Sequence, residues 1–139
     1  VCAVHDRPVG VDVEQVIPID LAISASFFAE SEHQDILNSI DQEDRFFDFW
    51  SLKESFIKQI GKGLSKELNS FTVKFIDREI RIESEGRLLD EVYLKQFALE
   101  EGYKFAICTA NEALPDSVKM IQPDTIHHFF NHLTINSNH

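Results

Sequence analysis

Two acidic side chains in the first strand-like segment have the types and spacing that could bind a cation. Residues 9–14 read Val-Gly-Val-Asp-Val-Glu, an alternation that is typical of a β-strand. Successive side chains of a strand point to opposite faces, so Gly10, Asp12 and Glu14 share one face and the valines share the other. Two carboxylates on one half-buried face repel each other unless a cation or hydrogen-bond donors lie beside them. The pair is therefore a candidate metal site, and an ordinary polar sheet face is the alternative that it leaves open.

A third carboxylate lies in a helical segment, Trp-Ser-Leu-Lys-Glu-Ser-Phe-Ile-Lys, at residues 50–58. Glu54 follows Asp12 by 42 residues, and Lys58 follows Glu54 by one helical repeat, so that Glu54 and Lys58 share a helix face. Taken alone, such a pair is also compatible with an exposed ion pair that contributes a few tenths of a kcal/mol.

We expect Glu54 to lie on a long helix. The spacing of apolar residues predicts this helix over about residues 43–60, with Gly61 at its end. The apolar stripe consists of Phe46, Phe49, Trp50, Ile57 and Ile60. Two shorter helices are expected before it, from Asp20 through Phe28 and from Ser31 to about Ile40.

Strands must hold the carboxylate pair, and residues 1–16 predict two of them around a turn at residues 6–8. Alternation predicts further strands after the long helix, at residues 71–76, 80–82, 92–99 and 103–109. We therefore expect one α+β domain over residues 1–139, with an antiparallel sheet of about five strands and the long helix packed on one face. Residues from about 134 onward are expected to be a disordered tail.

The overall charge disfavours several classes of partner. The chain carries 24 acidic and 13 basic side chains, a formal net charge of -11, which repels nucleic acids and anionic membranes. No apolar run approaches the roughly 20 residues of a membrane span. The two cysteines have neither metal-type spacing nor the density of a disulfide framework. A cytoplasmic setting is the resulting expectation.

The acidic strand and the lysine-rich helix together resemble the paired signature of the phosphopantetheinyl transferase superfamily. The loop Gly-Lys-Gly-Leu at residues 61–64 is typical of its surfactin-type (Sfp-like) branch, and the resemblance extends over residues 1–121. It implies transfer of 4'-phosphopantetheine from coenzyme A to a serine of an acyl or peptidyl carrier protein, with Mg²⁺ as cofactor and 3',5'-ADP as product. It also implies a role in nonribosomal peptide or polyketide assembly.

The resemblance also assigns roles to individual residues. It implies that three carboxylates bind the metal: Asp12, Glu14 and Glu54. It implies that Glu54 is the general base for the attacking serine, directly or through a water. Lys58 and Lys53 would neutralise phosphate charge as 3',5'-ADP leaves, and Lys62 is a further candidate for phosphate contact.

The chain is about half as long as the resemblance implies for surfactin-type enzymes, which are pseudo-two-fold doubles. It corresponds to their C-terminal half, and the Ser-His segment of the first half does not occur in it. A fragment, one chain of a pair, and a half-sized protein that self-associates all remain open. We expect weak or absent activity for this chain alone. A non-catalytic assembly module and a structural ion network are the other two hypotheses.

Two further signals favour structural roles. Three histidines near the C-terminus could bind zinc: His127, His128 and His132. No acidic or cysteine partner sits at ligand spacing, so we interpret them as solvent-facing. Four apolar residues could dock a carrier protein: Leu21, Ile23, Phe27 and Phe28. Their helical spacing makes core packing the favoured interpretation.

Overall fold

A six-stranded antiparallel sheet forms the framework of the protein. The computed structural model describes residues 1–61, 63 and 66–125. The strands are β1 (Val9–Gln15), β2 (Thr72–Ile76), β3 (Glu79–Ser84), β4 (Arg87–Leu88), β5 (Tyr93–Phe97) and β6 (Tyr103–Thr109). The helices are α1 (Ala22–Phe27), α2 (Glu30–Asn38) and α3 (Gln42–Ile60), and a 3-10 helix spans Leu68–Ser70. The strands run in the order β1-β6-β5-β3-β2, and β4 adds to β3.

The predicted α+β class with an antiparallel sheet and a long helix is confirmed. Two details of the prediction were wrong. Residues 1–8 form no strand, since the short, mostly exposed stretch before their Asp-Arg-Pro turn pairs with no other strand of the described residues. β4 was missed because two residues are too few to show alternation. No helix in the described part of the chain is both long and apolar enough to cross a membrane.

Side-chain and backbone signals set both ends of α3. The Asp41 carboxylate accepts a hydrogen bond from the Asp44 amide at 2.9 Å and so caps the first turn. At the other end Gly61 adopts a left-handed conformation with φ 65°. A residue without a Cβ tolerates this conformation, so the chain can leave the helix there. The length of α3 therefore follows from local sequence.

The helix α3 packs against the sheet face that carries Gly10 and Asp12. Register places Asp12 opposite Ala106 of β6. The valines of β1 lie on the other face, where Val13 is 42% exposed. The core beneath α3 contains Ile36, Phe46, Phe49, Leu52, Phe56, Phe71, Val73, Ile82, Leu94, Ala106 and Cys108. The predicted alternation in β1 is correct, and the polar face is the one that meets the helix.

A buried ion pair joins α3 to α2 and β2. Lys53 is fully buried, and its Nζ lies 2.8 Å from Glu32 Oε2. The same ammonium donates to the carbonyl oxygens of Leu68, at 2.7 Å, and Phe71, at 2.6 Å. All three donors of the ammonium therefore have partners. Burial is the largest influence on the Lys53 pKa and lowers it, while the charge of Glu32 opposes that shift.

Glu32, the acidic partner in this ion pair, also binds backbone amides of two other segments. One of its oxygens accepts the Ala29 amide at 2.9 Å, at the start of α2, and the other accepts the Val73 amide of β2 at 2.7 Å. A buried charge that keeps a partner and hydrogen bonds is tolerated, whereas one that loses its partner is strongly destabilising. The pair thus fixes α2, α3 and β2 relative to one another.

We predict that Lys53→Met lowers the free energy of unfolding by about 3–5 kcal/mol, because it leaves the Glu32 carboxylate buried without its cation. Denaturant unfolding followed by circular dichroism measures this change. Lys74→Met is the matched control, since Lys74 pairs with Glu83 at 3.6 Å and both side chains are 35% exposed. It should cost at most about 1 kcal/mol. Equal losses in the two variants would contradict the assignment.

Candidate metal and phosphate site

Asp12 is the buried centre of the predicted site. It is 5% exposed, and its Oδ1 accepts a hydrogen bond from Lys58 Nζ at 2.6 Å. Its other carboxylate oxygen, Oδ2, is buried and has no hydrogen-bond partner within the described residues. Such an oxygen costs free energy unless a donor or a cation reaches it. The structure therefore shows one satisfied and one unsatisfied oxygen at this carboxylate.

Glu14 lies on the same face of β1 and interacts directly with Asp12. Burial, followed by the negative charge of Asp12, raises the pKa of Glu14 from 4.5 to about 7. The positive charge of Lys58 opposes this shift. The charge of Asp12 thus disfavours ionisation of Glu14, as expected for neighbouring acids.

Glu54 approaches the pair from α3. Its pKa is raised, first by burial and second by the charge of Asp12, while Lys58 lowers it. Asp12, Glu14 and Glu54 therefore interact electrostatically around one lysine. In residues 1–61, 63 and 66–125, however, no three or more His, Cys, Asp or Glu side chains are arranged so that they could hold a metal ion together. The structure brings the three carboxylates into one neighbourhood without a preformed three-ligand set.

The chemistry of the donors fits a hard divalent cation. Mg²⁺ takes one or two protein carboxylates and completes its octahedron with water and phosphate oxygens. The buried oxygen of Asp12 without a partner and the adjacent Glu14 carboxylate supply such a pair. The half-exposed ammonium of Lys58, with 49% of its side chain exposed, lies beside them. These residues could hold a cation and an anionic group side by side.

The predicted phosphate-binding lysines lie in different environments. Lys58 lies at the carboxylates, as expected. Lys53 does not, because its ammonium is buried and fully engaged with Glu32 and two carbonyl oxygens. We therefore correct its assignment from a phosphate contact to a structural cation. Lys62 lies outside the described residues, as do the three histidines of the proposed zinc signal.

A cavity of about 330 Å³ opens beside Glu54. Its walls come from α1, α3 and the segment after α3, and they include Phe27, Trp50, Ile57 and Lys66. Glu54 therefore borders both the carboxylate cluster and an apolar cavity. Lys66 was not predicted as a site residue, and its only sequence signal is that it follows the glycine-containing segment.

The apolar residues of α1 divide between the two proposed roles. Phe28 is 3% exposed and belongs to the core, and Leu21 and Ile23 pack against that core. Phe27 is 48% exposed and lines the cavity. Core packing is thus confirmed for Phe28, while Phe27 faces the surface beside Glu54.

Comparison with known proteins identifies the class to which this fold and site belong. Residues 8–108 match the model of the 4'-phosphopantetheinyl transferase superfamily, and the chain belongs to that family. Within the family, the chain is similar to Sfp-type enzymes. It is 38% identical over 130 residues to the 4'-phosphopantetheinyl transferase Sfp of Bacillus subtilis (strain 168), and the alignment covers 87% of this chain and 55% of that protein. It is 40% identical over 128 residues to psf-1 of Bacillus pumilus, covering 86% and 52%. The chain thus spans about half the length of the curated relatives it matches.

Solved structures show the same fold. The holo-[acyl-carrier-protein] synthase of Thermotoga maritima superposes with a TM-score of 0.61 at 16% identity, over 90% of this chain and 90% of that one. The Bacillus anthracis synthase, solved in complex with coenzyme A (3',5'-ADP), gives a TM-score of 0.56 at 14% identity, over 73% of this chain and 92% of that one. At these identities the likeness concerns the fold alone.

The raised pKa of Glu14 predicts a pH-dependent stability in metal-free buffer. Between pH 4.5 and about 7 the unfolded carboxyl is ionised while the folded one keeps its proton. The free energy of unfolding of the native protein should therefore fall, relative to Glu14→Gln, as pH rises through this window, and the difference should level off above it. Denaturant unfolding at several pH values, with a chelator present, measures this difference. Glu43→Gln, a change outside the cluster, should follow the native protein, and parallel profiles for all three proteins would refute the shift.

Proposed function

We propose that the protein transfers the 4'-phosphopantetheine group from coenzyme A to a serine of an acyl or peptidyl carrier protein, releasing 3',5'-ADP. The observation that carries this proposal is the buried Asp12 oxygen that has no partner in the described part of the chain, beside Glu14, Glu54 and the cation of Lys58. Membership of the transferase superfamily supports the reaction class. The coenzyme A complex of the Bacillus anthracis synthase supports the choice of coenzyme.

Magnesium is the proposed cofactor, with Asp12 and Glu14 as its first ligands and Glu54 as the third. When bound, it would offset the negative charge of the pyrophosphate during transfer. Lys58 forms a short ion pair with Asp12 and still exposes half of its side chain. It can therefore meet a phosphate oxygen at the mouth of the site, where a positive charge stabilises the leaving group. Phosphate contact by Lys62 stays a prediction.

Glu54 is the proposed general base. Its raised pKa brings the carboxyl closer to neutral pH, where a base both exists in its ionised form and accepts a proton readily. The cavity beside it gives a serine hydroxyl a route from the surface. Phe27 and Trp50 at that cavity would contact the carrier segment that brings the serine.

The rest of the coenzyme site would come from a segment outside these 139 residues, from another polypeptide or from a second copy of this chain. The chain spans about half of Sfp, and that observation also favours one alternative, a non-catalytic module that keeps the fold. We also propose a cytoplasmic setting and, from the similarity to Sfp-type enzymes, a role in nonribosomal peptide assembly.

We predict magnesium-dependent labelling of an apo carrier protein with a fluorescent coenzyme A analogue when the chain is mixed with the first half of an Sfp-type enzyme. Labelling by the chain alone should be weak or absent. Glu54→Gln should reduce the labelling rate by about 100-fold or more, since it removes both a ligand and the base while the fold remains.

The matched control is Glu43→Gln, which makes the same change in the first turn of the same helix, away from the cluster. It should label at the native rate. If neither the chain nor the mixture labels the carrier, the enzymatic proposal fails and the binding-module alternative stands. If Glu54→Gln labels at the native rate, the role of Glu54 is wrong even though the transferase assignment holds.

A further inference from the structure

Gly10 lies where the backbones of β1 and α3 touch. A Cβ built on Gly10 would lie 2.0 Å from the carbonyl oxygen of Ser55, 2.4 Å from the amide nitrogen of Gln59 and 3.0 Å from the carbonyl carbon of Lys58. All three atoms belong to the helix backbone, so no side chain can rotate away to make room. Any other residue at position 10 forces the strand and the helix apart.

Backbone conformation does not explain the glycine. The glycines with positive φ in the described part of the chain are Gly61, Gly63, Gly86 and Gly102, and Gly10 is not one of them. Gly10 instead sits inside a regular strand, opposite Cys108 of β6, where a glycine weakens the strand. The close approach of the helix is therefore the physical reason for the residue.

The contact lies inside the site. Gly10 precedes Asp12 by one strand repeat on the same face, and the helix atoms that it meets belong to residues one to five positions after Glu54. A shift of about 1 Å or more would be needed to relieve the Cβ contact. A misplacement of that size is enough to impair a site whose groups must meet one ligand, and Mg²⁺ tolerates little departure from its octahedron.

We infer that Gly10 is a positioning residue, which sets the spacing between β1 and α3 so that Asp12 meets Lys58 and comes within reach of Glu54. The ion-pair part of this inference is independent of the proposed function, and only its magnesium part rests on that function. A purely structural role would make Gly10→Ala less stable and leave the interactions between Asp12 and α3 unchanged in the folded protein.

A double-mutant cycle on unfolding separates these two roles. The cycle combines Asp12→Asn with Lys58→Gln and is measured in metal-free buffer in three backgrounds: native, Gly10→Ala and Val11→Ala. Val11 is the matched control, because it is the next residue of β1 and its side chain lies half-buried on the opposite face. We expect the same coupling between Asp12 and Lys58 in the native and Val11→Ala backgrounds. In the Gly10→Ala background we expect the effects of the two substitutions to be additive, that is, a coupling ratio of about one. Equal coupling in all three backgrounds overturns the inference.

Binding of magnesium alone provides the second readout. Mg²⁺ should raise the unfolding midpoint of the native protein and of Val11→Ala, and the increase should be lost in Gly10→Ala. An increase kept by Gly10→Ala overturns the magnesium part of the inference. If the native protein shows no increase, the magnesium part of the proposed function fails, and the cycle alone decides the role of Gly10.

Folding of Gly10→Ala must be secured before either comparison. Trimethylamine N-oxide favours the compact state, so all three backgrounds are measured in it if Gly10→Ala is unfolded in buffer. If Gly10→Ala stays unfolded there as well, the positioning role is overturned, because Gly10 is then required for folding as such.

Discussion

The backbone contact between β1 and α3 is the constraint on which the site depends. It brings Asp12, from a strand near the start of the chain, against Lys58 of a helix more than forty residues later. The strand turns its polar face to the helix, so the carboxylates lie between two elements instead of in solvent. Burying charge in this way is costly unless each group finds a partner. One oxygen of Asp12 has such a partner in Lys58, and the other has none among the residues that the structure describes.

The cluster around Asp12 carries more negative than positive charge. Three carboxylates surround one lysine, and burial, followed by repulsion from Asp12, raises the pKa values of Glu14 and Glu54. A proton on Glu14 relieves part of this repulsion, and a divalent cation relieves more because it carries two charges. The same excess of negative charge attracts a cation to this site, in a chain whose net charge is -11. Local arrangement, and not the overall field, therefore decides what this surface can bind.

Two lysines of one helical motif serve opposite purposes because of helix geometry. Residues five apart on an α-helix are separated by about 140° around its axis, so Lys53 and Lys58 cannot face the same side. Lys58 points toward β1 and the carboxylates, while Lys53 points toward α2 and β2. The sequence placed both in one motif, and only the packing of α3 separated a cation at the site from a cation in the core. The sequence alone could not identify Glu32 as the partner of Lys53, because the two residues lie on different helices, α2 and α3.

Local sequence determined the elements of this protein. Alternation in residues 9–14 placed Asp12 and Glu14 on one face, and the capping residues Asp41 and Gly61 set the length of α3. Tertiary structure decided which face of β1 meets the helix, how closely Gly10 approaches it and which lysine stays accessible. The reason is that periodicity specifies the direction of a side chain relative to its own element, whereas burial, pairing and pKa depend on the other elements packed against it.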